Sequence, residues 1–178
     1  MPRLEYVSES SETEELFESL CQPVREWFKD RFPDFTEPQK MAIPQIMGGH
    51  HLLLCSPTGS GKTLTAFLTI IDDLVRKSMN GTLEDGVSCV YISPIKALAN
   101  DIQKNLIGPL NEIRESYLPK RAKEIRVGLR TGDTSQKERD KILRSPPHIL
   151  ITTPESLALG LASKRFRPIL SGLKWMIV

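Results

Sequence analysis

Apolar residues recur along this chain in two alternating rhythms. Leu52-Leu53-Leu54-Cys55, Val87–Ser93, Ile125–Arg130, His148–Thr152 and Lys174–Val178 are short apolar runs of strand length. Between them the spacing turns helical. Leu64, Phe67, Leu68, Ile71, Leu74 and Val75 make one apolar stripe over 62–79, with Thr65, Asp72 and Arg76 placed opposite. Asn80–Gly86 reads as a loop, and Ile95, Leu98, Ala99, Ile102 and Leu106 mark the next helix. Ser135–Arg144 reads as a mostly polar helix ended by Pro146-Pro147, and Glu155–Ala162 as a short one. Strand and helix in strict alternation predict an α/β domain, with parallel strands and helices on both faces of the sheet.

Upstream of the first strand the pattern is helical. Residues 1–13 read as a polar leader, and 14–178 as the folded unit. Leu16, Phe17 and Leu20 predict a short amphipathic turn or two. Pro23 opens a helix over Val24–Phe32 that carries Val24, Trp27 and Phe28 on one face. Thr36 caps a helix reaching Met47 and stopped by Gly48-Gly49, and Pro44 inside it predicts a kink or a break.

Composition narrows the class only a little. The length of 178 residues fits one domain with a sizeable core. A net charge of +2 neither demands nor excludes a nucleic-acid partner. Cys21, Cys55 and Cys89 have no C-x-x-C spacing, which predicts buried, reduced thiols and an intracellular protein, with no stretch of membrane-spanning length. His50, His51 and His148 lack metal-ligand spacing and read as turn or strand-edge residues.

The chemistry concentrates after the first strand, in Ser56-Pro57-Thr58-Gly59-Ser60-Gly61-Lys62-Thr63. Strand, glycine-rich loop and helix in that order are the setting of a phosphate-binding loop. Gly59 and Gly61 let the backbone curl so that its N–H groups converge on a phosphate, and the helix start adds its positive dipole end. Lys62 is placed to reach the outer phosphates, and the Thr63 hydroxyl to hold Mg2+. The strict pattern begins with glycine, where this chain has Ser56. A second regularity is a hydroxyl residue followed by proline at three strand ends: Ser56-Pro57, Ser93-Pro94 and Thr153-Pro154. Helix-start chemistry alone accounts for such pairs. A capped helix start also presents free N–H groups that bind backbone phosphates.

Taken together the segments resemble superfamily 2 helicases, most closely the large helicase-related (Lhr) family. Ser56–Thr63 is similar to that superfamily's motif I, and Phe35-Thr36-Glu37-Pro38-Gln39 to its Q motif. Ser93–Asp101 resembles motif Ia, Thr131-Gly132-Asp133 the turn motif after the third strand, and Thr152–Ser156 motif Ib. The resemblance implies a RecA-like P-loop NTPase fold with ATP and Mg2+ as cofactors. Pro57, Thr58, Gly59, Ser60, Gly61, Lys62 and Thr63 would hold the phosphates, Lys62 as the catalytic cation. Gln39 would read adenine, since an amide can accept from N6 and donate to N7. Phe35 either stacks on the base or packs in the core. Ser93, Pro94, Lys96, Thr131, Gly132, Asp133, Thr153, Pro154 and Glu155 would line the backbone of a single strand of DNA or RNA, with Asp133 and Glu155 organising the turn and the helix start or meeting hydroxyls.

Trp175–Val178 would be the strand that delivers the Walker B acids, and the chain stops before them. The implied expectation is part of a motor, completed by a second RecA-like domain, binding nucleotide weakly by itself and not hydrolysing it. The intact protein would be a 3′-to-5′ DNA helicase acting on duplexes. The rivals are an RNA helicase of the DEAD-box kind, a non-enzymatic nucleotide-sensitive nucleic-acid-binding module, and a P-loop kinase or transport ATPase, for which no acceptor pocket or signature loop is legible.

Overall fold

The computed structural model describes residues 5–94 and 102–178. Three helices come first: α1 (Thr13–Ser19), α2 (Gln22–Arg31) and α3 (Glu37–Met47). Then follow α4 (Lys62–Met79), β1 (Cys89–Ile92), a π-helical turn (Gln103–Ile107) running into α5 (Gly108–Ser116), β2 (Val127–Arg130) and α6 (Gln136–Arg144). The chain finishes with β3 (Ile149–Thr152), α7 (Pro154–Ala162) and β4 (Trp175–Ile177). The four strands lie in the order β2-β3-β1-β4, every neighbouring pair parallel.

The two-residue period of the strands sorts their side chains onto two cores. Cys89, Ile149 and Ile151 face a large core built from α1 to α5, and Tyr91, Trp175 and Ile177 pack against it. Val90 and Leu150 face a second core shared with Ile142 of α6 and Leu157 of α7. Helices therefore cover both faces, as alternation predicts. Most other elements fall within a few residues of their predicted places, and α3 runs through Pro44 without a break. Of the helix expected from Ile95 to Leu106, Ile95, Leu98 and Ala99 lie outside the described residues, and the helical segment continues to Ser116.

Two expectations are corrected. The run Leu52–Cys55 forms no strand among the described residues: Leu53 is 83 % exposed, and none of the four strands lies beside it. An apolar run becomes a strand only when a neighbour supplies a ladder. Cys55, expected inside that strand, is exposed. The polar side of α4 is not a solvent face either. Thr65 and Asp72 are buried, Asp72 to 4 %. Its carboxylate accepts from Cys21 N–H at 2.6 Å and from Arg76 Nε at 2.7 Å, and Arg76 Nη2 donates to Ser19 O at 2.6 Å. This buried charge thus ties the α1–α2 corner to α4. It also raises the Cys21 thiol, already pushed up by burial, to about 12; burial alone puts Cys89 at about 12. Neither buried thiol is a nucleophile at neutral pH.

Candidate functional site

The Ser56–Thr63 loop is curled, with φ +83° at Gly59 and +86° at Gly61. Gly61 is the N-cap of α4, and no side chain caps it. Among the described residues the N–H groups of Gly59, Ser60, Gly61, Lys62 and Thr63 have no acceptor. Orphan donors of this kind at a helix start form an anion site. Lys62 turns back into the loop, its ammonium donating to the carbonyls of Ser56 and of Pro57, the latter at 2.6 Å. Ser56 and Ser60 hydroxyls close the loop base at 2.6 Å. The loop opens on a cleft of about 910 Å³ lined by Thr58, Gly59, Gly61, Lys62 and Thr63. That volume accommodates a nucleoside triphosphate beside the lysine.

α3 forms the wall next to the loop. The Gln39 side chain reaches back to Thr36 N–H at 2.9 Å in a capping box, and the Thr36 hydroxyl donates to Ser60 O at 2.9 Å. Gln39 is 3 % exposed, yet it lines the cleft. A Cβ on Gly61 would stand 2.8 Å from its Nε2. Its Oε1 keeps a second lone pair for another donor.

Phe35 is placed differently from its base-stacking role. It is 4 % exposed and stacks on Phe28 at 4.3 Å between ring centroids, so its faces belong to the core. The aromatic groups on the cleft are Trp27 and Phe32. Sequence reasoning missed them because Phe32 and Phe35 are alike in type, and only the Pro33-Asp34 bend decides which one turns inward. Glu112 of α5 fastens this wall, accepting from Trp27 Nε1 at 2.7 Å and pairing with Arg31. Lys104, on the π-helical turn, lines the same cleft.

Register builds a second feature. Arg130 of β2, Thr152 of β3 and Ile92 of β1 are aligned, so the residues that follow them, Thr131, Thr153 and Ser93, leave the sheet along one edge. Ser93 N–H donates to Thr152 O at 3.1 Å. The Thr153 hydroxyl caps α7 by accepting from Ser156 N–H at 3.3 Å. Pro94, Gly132, Asp133, Pro154 and Glu155 are exposed. Lys96 lies outside the described residues. Of the two roles expected for Asp133 and Glu155, closing the turns falls to other side chains among the described residues: Thr134 and Arg139 shape the first and Thr153 the second.

His148, read as an edge residue, is fully buried at the start of β3. Its Nδ1 accepts from Arg126 N–H at 2.9 Å, and its Nε2 has no partner among the described residues. Burial, with Arg126 and Lys123 nearby, lowers its pKa from 6.5 to about 4. It is a neutral structural group remote from the cleft lining.

Residues 36–178 match the family model described as DEAD/DEAH box helicase. The chain is 49 % identical over its full length to the ATP-dependent helicase Lhr-Core of Methanocaldococcus jannaschii, covering 21 % of that protein. It is 44 % identical over 86 % of its length to the Lhr helicase/uracil glycosylase of Escherichia coli, covering 10 % of it. The Mycobacterium smegmatis helicase Lhr, solved with ssDNA and AMP-PNP, matches with a TM-score of 0.75 at 41 % identity, over 87 % of this chain and 19 % of that one. The fold is accordingly RecA-like, and the chain spans about a fifth of the Lhr-Core relative.

Proposed function

This chain belongs to the DEAD/DEAH box helicase family, and we propose that it is the nucleotide-binding first part of an ATP-dependent DNA helicase. In this reading residues 14–178 form the first RecA-like unit behind a short leader, and a second such unit completes the motor. The observation that carries it is the run of N–H groups from Gly59 to Thr63 without acceptors among the described residues, on the loop onto which the Lys62 ammonium folds. Five such amide donors and a cation on one loop support a triphosphate as the ligand.

The residues present suit ATP and Mg2+. The loop amides would take the inner phosphates, Lys62 the outer ones, and the Thr63 hydroxyl the metal. Gln39, fixed by Thr36, would read the adenine edge, and Phe32 and Trp27 supply the apolar wall for the base in place of Phe35. Bound ATP would supply the free energy for movement along a strand. The row Ser93–Thr153–Thr131 would hold that strand's sugar–phosphate backbone through hydroxyls and turn amides, which read no bases. DNA is favoured over RNA because the Mycobacterium smegmatis neighbour was solved with ssDNA at 41 % identity. The Mss116p structure with ssRNA, at 20 % identity, speaks for the fold alone. Among the described residues no helix is long and apolar enough to cross a membrane. The intracellular assignment rests on the free thiols.

Calorimetry of ATP and GTP with Mg2+ tests the reading. We expect ATP to bind more tightly than GTP. Lys62→Ala should weaken ATP about thirtyfold or more, the loss of a charge-assisted phosphate contact of about 2 kcal/mol. The thermal midpoint should stay in place, since among the described residues the lysine's partners are carbonyls of its own loop. Equal ATP binding by parent and variant would sink the reading.

A further inference from the structure

The turn that leaves β2 is held by a side chain from the next helix. Arg139 of α6 donates Nε–H to Thr134 O at 2.9 Å, and Nη2–H to Gly132 O at 2.9 Å and to Thr131 O at 3.4 Å. The helix is built to deliver it. Ser135 and Glu138 form a capping box at the start of α6, with Glu138 accepting from Ser135 N–H at 3.0 Å and donating its own N–H to Ser135 Oγ at 3.3 Å. Arg139 N–H donates to Ser135 O at 3.0 Å, one turn along, so its side chain rises beneath the loop that precedes the cap. Within the loop, Thr131 N–H donates to Thr134 Oγ1 at 2.8 Å and Thr134 N–H to Thr131 O at 3.3 Å.

Two consequences follow from these bonds. Three carbonyls are drawn toward one guanidinium, while the N–H groups of Gly132 and Asp133, both exposed, have no acceptor among the described residues. Successive free amides on a tight turn make an anion-binding concavity. The guanidinium charge is also left over, because carbonyls satisfy its donors without neutralising it. Among the described residues Arg139 pairs with no carboxylate. A second guanidinium belongs to Arg130, the strand residue immediately before the turn. Arg130 lies 4.3 Å over the Phe166 ring, its Nη1 buried without an acceptor. Burial and the charge of Arg139 both lower its pKa, which places the two cations within each other's field.

We propose that Arg139 is a positioning residue for strand binding. By drawing in the carbonyls of Thr131, Gly132 and Thr134, it leaves the Gly132 and Asp133 N–H groups free to take a phosphodiester, and its uncompensated charge deepens that site. The inference rests on the strand-binding reading of the Thr131 turn. It adds the device that keeps the turn competent before any strand arrives. The exposed Asp133 carboxylate works against an anion here, so the free amides and the two guanidiniums must outweigh it.

The test is fluorescence anisotropy of the full-length protein with labelled oligo-dT across a salt series, for the parent, Arg139→Gln and Arg139→Lys. For Arg139→Gln we expect roughly tenfold weaker binding, about one charge-assisted contact, and a salt slope shallower by about one. Arg139→Lys keeps the charge but not the fork. It should regain the slope and not the affinity. Hydrogen exchange at the amides of 132–134 should quicken in both variants, while ATP affinity measured without nucleic acid stays unchanged. Should Arg139→Gln lower the thermal midpoint, Arg139→Lys alone decides. Parent-like strand affinity in either variant overturns the inference and leaves the strand-binding reading standing. A parent that binds no strand removes both.

Discussion

At the nucleotide cleft, five consecutive backbone donors lack acceptors and Lys62 folds onto its own loop's carbonyls; at the strand edge, each turn is closed by a side chain from its own neighbourhood. The cleft loop is held by two left-handed glycines, by its own Ser56–Ser60 and Lys62–carbonyl bonds and by one bond from outside, Thr36–Ser60. It follows a segment that pairs with no strand among the described residues. The strand edge grows from three registered strands and two capped helices. The difference is between a surface that its ligand completes and one that stands formed in advance. Ligand binding at the first should order and stabilise the loop; at the second it should cost little ordering.

Two glycines offer the strongest way to break that contrast. Gly61 has φ +86°, and a Cβ there would lie 2.8 Å from Gln39 Nε2. Gly160 of α7 has ordinary helical backbone, but its Cβ would lie 2.3 Å from Arg130 Nη1 and 2.8 Å from the Phe166 ring. Gly61→Ala adds left-handed strain, and Gly160→Ala overpacks a wedge between helix and ring. Each should lower unfolding free energy by about 2 kcal/mol in urea titration. The ligand effects should separate: Gly61→Ala loses ATP binding, and Gly160→Ala keeps it. If Gly160→Ala abolished ATP binding as well, the two regions would be a single cooperative unit.

The same contrast explains what was legible. Caps and turns are written in adjacent residues, so Thr36, Ser135 and Thr153 announce their helix starts, and glycine spacing announces the curl of 56–63. The parallel sheet followed from alternation. What escaped depends on contacts far along the chain. Asp72 looks like a surface residue because its partner N–H belongs to Cys21, 51 residues earlier. Leu52–Cys55 has strand composition but pairs with no strand among the described residues, and composition cannot report a missing ladder. Phe35 and Phe32 exchange roles through one bend. Arg139 lay unremarked in a helix read as mostly polar, since nothing in its local pattern shows that it reaches back to three carbonyls of the preceding turn.

His148 sharpens the comparison from below. It sits buried at the start of β3, the strand whose far end carries Thr152 and Thr153, with Arg126, Lys123, Asp85 and Glu124 as the charged groups around it. Its pKa falls from 6.5 to about 4 on folding, so the unfolded chain binds the extra proton first. Its contribution is complete above pH 6.5 and is lost as pH falls through 4. The loss should total about 2 kcal/mol once screening by its charged neighbours is allowed for. Urea titrations stepped across that window should show the drop in the parent and a flatter profile in His148→Gln. An equally steep profile in the variant would move the effect to the carboxylates.

Thr153 sets the smallest test and the most local one. Its hydroxyl accepts from Ser156 N–H at 3.3 Å, and the neighbouring Thr152 hydroxyl donates to Arg130 O at 2.7 Å, so the start of α7 is tied to β2 independently of the cap. Removing the cap should therefore fray one helix turn without releasing the edge. Thr153→Ala should cost about 1 kcal/mol, read as a shifted urea midpoint at unchanged slope. Thr153→Ser, which keeps the oxygen, should restore most of it. Strand affinity should fall in the alanine variant and recover in the serine variant, while ATP affinity holds in both. If serine failed to restore stability, the buried methyl group and not the capping oxygen would be what holds α7, and this part of the edge would be formed by packing in the way the α4 core is, with no role for helix-start chemistry.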